Sequence, residues 1–194
     1  MAKLLGNFHL ALLIGLLLLI GAMVGFHQGG MDKSYWVEML RLLHVWAGIL
    51  WIGLLYYFNF VQIPTMPKVP AELKPGITKY IAPSALFWFR WSALLTVILG
   101  LLIIELRVPG DAGRALGLAE GYRVIGTGMW LGIIMFLNVW VIIWPNQKKA
   151  LGIVTVAPEQ KAAAAKMAGM ASRFNTMLSI PMLYCMVGQQ NGGM

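Results

Sequence analysis

The residue with the clearest capacity for chemistry is His44, which lies in an apolar stretch from residue 36 to residue 60. Ionisable side chains inside apolar helices are costly in a membrane and usually face the interior of a bundle. If the stretch is helical, one face carries six residues: Arg41, His44, Gly48, Trp51, Leu55 and Asn59. A histidine one turn from a glycine suits an axial haem ligand, because the missing side chain leaves room for the flat macrocycle.

This face therefore predicts a site for one b-type haem, with His44 as the ligand of the iron. Gly48 and Trp51 are further candidate residues of that site, and Arg41 could pair with a propionate. His27, which follows the first apolar run, is the only other histidine predicted at a comparable depth and is the candidate second ligand. Two alternatives stay open, namely a packing histidine beside a close helix crossing at Gly48, and a proton-relay or substrate-binding residue.

A second set of polar side chains is predicted to meet near the other membrane face: Asn59, Gln62, Arg90, Asn138, Asn146, Gln147, Arg173, Asn175 and Thr176. Two arginines with several amides could bind a carboxylate, a phosphate or a urate-like heterocycle. The candidate anion or substrate residues are Asn59, Arg90, Asn146, Arg173 and Asn175. The alternative is structural, since the same groups could satisfy exposed carbonyls around prolines and tie helix ends together.

The elements that must position these residues are membrane helices. Of the 194 residues, 59% are hydrophobic and 11% are charged, with a mean hydropathy of +0.74. We expect a single transmembrane domain over residues 1–194, an all-α bundle of about five spans at about 5–26, 36–60, 83–106, 122–145 and 158–188. Prolines between Pro64 and Pro75 predict a loop there, and a charged, glycine-containing loop is predicted around Pro109 to Arg114.

Lysine and arginine set the expected orientation. The membrane side that carries most of the lysines is predicted to be cytoplasmic, so the N-terminus is cytoplasmic and, after five crossings, the C-terminus is periplasmic. The formal charge of +8 is spread over short loops without a basic stripe, so we expect lipid and no nucleic acid as a partner. A single cysteine, Cys185, excludes an intramolecular disulfide and covalent c-type haem attachment.

Four stretches together resemble a known family. They are residues 41–62, with His44, Trp46 and Gly48; residues 87–91, Phe-Trp-Phe-Arg-Trp; residues 138–148, Asn-Val-Trp-Val-Ile-Ile-Trp-Pro-Asn-Gln-Lys; and residues 173–183, Arg-Phe-Asn-Thr-Met-Leu-Ser-Ile-Pro-Met-Leu. Their order and character are similar to the N-terminal membrane domain of the bacterial membrane-bound urate oxidases (urate hydroxylases). The first stretch also looks, more weakly, like small haem-b membrane proteins of the protoporphyrinogen oxidase type.

The resemblance implies a bacterial inner-membrane, multi-pass protein with a redox role. Full-length urate oxidases of this kind carry a C-terminal cytochrome c domain. Because the single cysteine excludes c-type haem attachment, we expect a truncated form without that domain. Leu137 stands where the family leads us to expect a histidine. We therefore expect an accessory subunit of a redox complex, structural or electron-transferring, that contacts other integral-membrane subunits. The alternative is a urate-oxidase-like oxidoreductase that passes electrons to a separate cytochrome c.

Overall fold

The computed structural model describes residues 5–26 and 29–190, which form helices and turns without a strand. The chain divides into two compact units, Met1–Trp36 and Val37–Met194. Helix α1 of the first unit spans Phe8–Phe26. Asn7 caps it, because its side-chain oxygen accepts the backbone N–H groups of the second and third helical residues at 3.1 and 3.3 Å.

The remaining helices are α2 (Lys33–Lys68), α3 (Lys74–Arg107), α4 (Asp111–Leu116), α5 (Arg123–Ala150) and α6 (Pro158–Gln190). The predicted loop between Pro64 and Pro75 is mostly wrong. Helical backbone continues through Ile63–Thr65 and Met66–Lys68 and resumes at Lys74–Gly76, which leaves residues 69–73 as the break. The predicted loop after residue 107 likewise contains the short helix α4.

Three π-helical turns explain how the helices pass their prolines. The turns are Tyr57–Gln62, Ile77–Ile81 and Asn138–Ile143, and each ends two residues before a proline: Pro64, Pro83 and Pro145. Proline lacks an N–H group, and its ring clashes with the carbonyl four residues earlier. A π turn inserts one residue into the preceding ladder and moves that carbonyl away. The helices therefore extend past the predicted ends at about residues 60 and 145 and begin before the predicted start at about residue 83.

The core of the second unit lies where α2, α3, α5 and α6 meet. Its buried members are Trp51, Ile52, Leu55, Phe58, Leu86, Phe89, Ala93, Met135, Val139, Ile143, Ala171 and Met182. Helix α6 packs along the whole length of α5. Gly128 permits this closeness, because a Cβ there would lie 2.9 Å from the Cβ of Cys185.

Helix α4 is held against the start of α5. A Cβ at Gly126 would overlap the carbonyl oxygen of Ala115, so only glycine fits at this crossing. The indole N–H of Trp130 donates to the carbonyl of Leu116 at 2.9 Å. These contacts fix α4 within the second unit.

Within residues 5–26 and 29–190, four helices are long and apolar enough to cross a membrane, namely α1, α2, α3 and α5. The predicted fifth span forms as a helix but is not among them. Buried residues of α6 include the polar Ser172, Asn175 and Ser179. These side chains face the bundle and lower the helix's average hydropathy, as do its exposed charged residues Glu159, Lys161, Lys166 and Arg173.

Candidate functional site

His44 is held against α3 by its ring. Its Nδ1 lies 2.8 Å from the backbone carbonyl oxygen of Thr96. A carbonyl can only accept, so Nδ1 carries the proton and Nε2 is the nitrogen with a free lone pair in the neutral ring. A Cβ at Gly100 would lie 3.0 Å from Cε1 of His44, so this glycine makes room for the imidazole.

The predicted haem face points into the bundle but is filled by protein. Trp51 is 1% exposed, as the helical periodicity predicts. A Cβ built at Gly48 would lie 3.8 Å from Cγ2 of Thr96, so α3 occupies the space that a macrocycle would need beside this glycine. Arg41 pairs with Glu38 on its own helix at 2.8 Å. In this arrangement α3 packs against Gly48, so a haem at this glycine would require the two helices to separate.

The other parts of the haem prediction stay predictions. His27 lies outside the described residues. The bond from Nδ1 of His44 to a backbone carbonyl is the arrangement that metal-binding histidines use to fix the ring, with Nε2 left as the ligand. Within the described residues, no group of three or more histidine, cysteine, aspartate or glutamate side chains could hold a metal ion.

A pair of buried amides joins α5 to α6. The side-chain amide of Asn138 donates to Oδ1 of Asn175 at 2.7 Å and to the carbonyl of Ala171 at 2.8 Å. The amide of Asn175 donates to the carbonyl of Met135 at 2.9 Å. Asn138 begins the π turn of α5, where the normal backbone ladder is interrupted. The two amides thus satisfy one another and the backbone carbonyls nearby.

Two further side-chain bonds join α2 to α6. The amide of Asn59 donates to the hydroxyl of Ser172 at 2.7 Å, and the hydroxyl groups of Tyr56 and Ser179 lie 2.9 Å apart. We call the six residues that make these inter-helix bonds the polar seam: Tyr56, Asn59, Asn138, Ser172, Asn175 and Ser179. The sequence pattern did not point to Tyr56, Ser172 or Ser179 as residues of this cluster. The spacing of 172, 175 and 179 on one helical face was the available signal.

The predicted anion or substrate residues are distributed over several environments. Arg90 lies with its guanidinium carbon 3.4 Å from the centre of the Trp144 ring, and its buried Nε and Nη1 have no hydrogen-bond partner. Asn146 donates to the carbonyl of Ile142 in its own helix at 2.8 Å, and Arg173 is exposed. Within the described part of the chain, no hydrogen bond joins any two of the five candidates. The structure instead brings Asn175 to Asn138 and Asn59 to Ser172.

A cavity of ≈ 50 Å³ lies beside the polar seam. Its polar lining residues are Gln62, Gln147 and Ser172, and the rest of its wall is mainly apolar. Oε1 of Gln62 and Oδ1 of Asn59 are buried without a partner. A polar cavity of this size can hold a few water molecules, which would satisfy such acceptors.

Comparison with known proteins gives a match for the part of the chain that contains α5 and α6. Residues 118–192 match the model of the family described as urate oxidase N-terminal. This part of the chain is similar to that family. The matched region contains α5 and α6, and it confirms the resemblance drawn from residues 138–148 and 173–183. No curated protein and no solved structure matches the chain.

Proposed function

We propose that this protein is a small integral-membrane subunit of an inner-membrane redox complex in bacteria, with a structural or electron-transferring role. The observation that carries the proposal is the polar seam, four of whose six residues lie in the region similar to the urate oxidase N-terminal family. Its amides and hydroxyls bind helices to one another. Groups committed in this way stabilise a scaffold and are poorly available to a substrate.

The proposed topology has five crossings, with the N-terminus in the cytoplasm and the C-terminus in the periplasm. Helix α6 is the fifth crossing. Its outer surface at Met177, Ile180 and Val187 is apolar and exposed, while its polar residues Asn175 and Ser179 are fully buried. At 1.5 Å per residue, a helix of 33 residues is about 50 Å long, so its amphipathic start extends out of the membrane.

The deciding experiment is purification of the tagged chain from its native membrane in a mild detergent. We expect a stoichiometric partner with a redox centre to elute with it, visible in a reduced-minus-oxidised difference spectrum of the complex. Elution of the chain alone, with no redox-active partner after mild crosslinking, would contradict the subunit role.

Haem binding by the chain itself is tested by the same spectrum of the isolated protein. A b-type band that disappears in His44→Ala and persists in His9→Ala supports the electron-transferring form of the proposal. His9 is a suitable control, because it lies in the first turn of α1 and is exposed. A missing band, with no iron found by metal analysis, restricts the role to a structural one.

A urate-oxidase-like oxidoreductase that passes electrons to a separate cytochrome c is the second candidate. It is favoured by the family match and by Arg90, whose two unpartnered N–H groups could bind an anionic oxygen. Urate consumption with added cytochrome c is then expected to fall about 10- to 150-fold in Arg90→Ala, since a charged hydrogen-bond partner contributes about 1.5 to 3 kcal/mol. Arg123→Ala removes the same charge from an exposed position and is expected to keep full activity. Equal activity in both variants would exclude Arg90 from a substrate site.

A further inference from the structure

A second pocket, of ≈ 200 Å³, lies between the end of α5 and the start of α6. It is lined by Lys149, Gly152, Val154, Thr155, Val156 and Lys161. Neither of the proposed haem and anion sites includes any of these residues. Two lysines and one threonine are therefore among the residues that line the pocket.

The turn after α5 shapes this pocket. The backbone N–H groups of Ile153 and Val154 both donate to the carbonyl of Lys148, at 2.9 and 3.1 Å, which folds the chain tightly back. Gly152 has a φ of +76°, a left-handed conformation that favours glycine. A Cβ there would lie 3.8 Å from Nζ of Lys161, so the ammonium group lies over the turn and close to the pocket.

Among the described residues, no ion pair joins a lysine of this pocket to a carboxylate. Within the described residues, the ion pairs are Arg41 with Glu38 and Arg114 with Asp111, and neither involves a lysine of this pocket. The carboxylate closest in sequence is Glu159, on the exposed first turn of α6. Lys149 and Lys161 are both exposed, so their charges are available to a ligand from outside.

The position of the pocket along the chain indicates the ligand. It directly follows the membrane-spanning part of α5, whose last turns carry Trp144 and Lys148. Tryptophan and lysine at the end of a span are typical of the headgroup level, and basic pockets between helices on the cytoplasmic side bind phosphate headgroups. We propose that the pocket of Lys149, Thr155 and Lys161 binds the phosphate group of an anionic phospholipid. The proposal rests on α5 crossing the membrane and is independent of any redox role.

The test measures lipid binding to the detergent-purified full chain by native mass spectrometry. Dioleoyl phosphatidylglycerol is the probe, and dioleoyl phosphatidylcholine is the reference lipid. The variant K149Q/K161Q is expected to bind phosphatidylglycerol roughly 30-fold more weakly, because each lysine near a surface contributes about fivefold to such binding. The matched control K68Q/K79Q removes two exposed lysines from the same lysine-rich side and is expected to change binding less than threefold.

Equal weakening in the two double variants would overturn the proposal, because the attraction would then come from overall charge. Inorganic phosphate at millimolar concentration separates the two sources of a phosphate group. Saturable binding of inorganic phosphate without preference for phosphatidylglycerol over phosphatidylcholine would overturn the lipid as the ligand. If K149Q/K161Q fails to fold by circular dichroism, K161Q and T155A alone test the site. Wild-type binding in both single variants would also reject the proposal.

Discussion

The buried amide pair gives the sharpest prediction, because Asn175→Ala removes two defined inter-helix hydrogen bonds. Asn175 is 0% exposed, accepts from Asn138 at 2.7 Å and donates to the carbonyl of Met135 at 2.9 Å. Side-chain hydrogen bonds between membrane helices contribute about 0.6 kcal/mol on average and up to about 1.7. Two such bonds imply a loss of about 1 to 3 kcal/mol in the free energy of unfolding.

The assay is reversible unfolding in mixed micelles with increasing sodium dodecyl sulfate, followed by circular dichroism. Asn146→Ala is the matched control, because its amide bonds only Ile142 of its own helix, and a change below about 0.5 kcal/mol is expected. A double-mutant cycle of Asn138→Ala and Asn175→Ala is expected to give a coupling of about 0.6 kcal/mol. Strict additivity in the cycle, or equal losses in Asn175→Ala and Asn146→Ala, would refute the assigned bonds.

Two further predictions concern glycines at helix crossings. Gly100→Ala is expected to cost about 1 to 3 kcal/mol in the same assay, because its Cβ would lie 3.0 Å from Cε1 of His44. Adding His44→Ala should recover part of that loss, and no recovery would contradict the contact. Gly126→Ala should lower the thermal midpoint sharply by overlap with Ala115, whereas Gly132→Ala, which has no atom within 4 Å of its Cβ, should leave it nearly unchanged. Equal midpoints for these two variants would disprove the crossing.

Part of the candidate haem site could be predicted from the sequence. The periodicity of residues 41–59 correctly placed Trp51 and Leu55 in the interior, since a helix presents every third or fourth residue to the same neighbour. It could not identify the neighbour. The glycine that accommodates His44 is Gly100 on another helix, 56 positions away, because packing distance depends on how two helices cross.

The predicted anion or substrate residues were likewise only partly predictable from the sequence. Depth along the helices suggested that Asn138 and Asn175 could meet, and the structure joins them with a bond of 2.7 Å. Arg90 and Arg173 were also predicted at similar depth, yet Arg90 stacks on Trp144 and Arg173 is exposed. Depth fixes only one coordinate, and the rotation of each helix about its axis decides which side chains touch.

The all-helical class and the presence of span-length apolar helices could be predicted from the sequence alone, because a helix satisfies its own backbone hydrogen bonds where an apolar run leaves no other partner. Only the tertiary structure showed where the helices end and which polar residues form hydrogen bonds between them. The prolines from Pro64 to Pro75 predicted a loop, but helical backbone continues past Pro64 after the π turn at Tyr57–Gln62. Low hydropathy set α6 apart from the four apolar spans, yet its polar residues Asn175 and Ser179 face the bundle. The burial of these residues depends on hydrogen-bond partners on other helices, and a single stretch of sequence does not contain those partners.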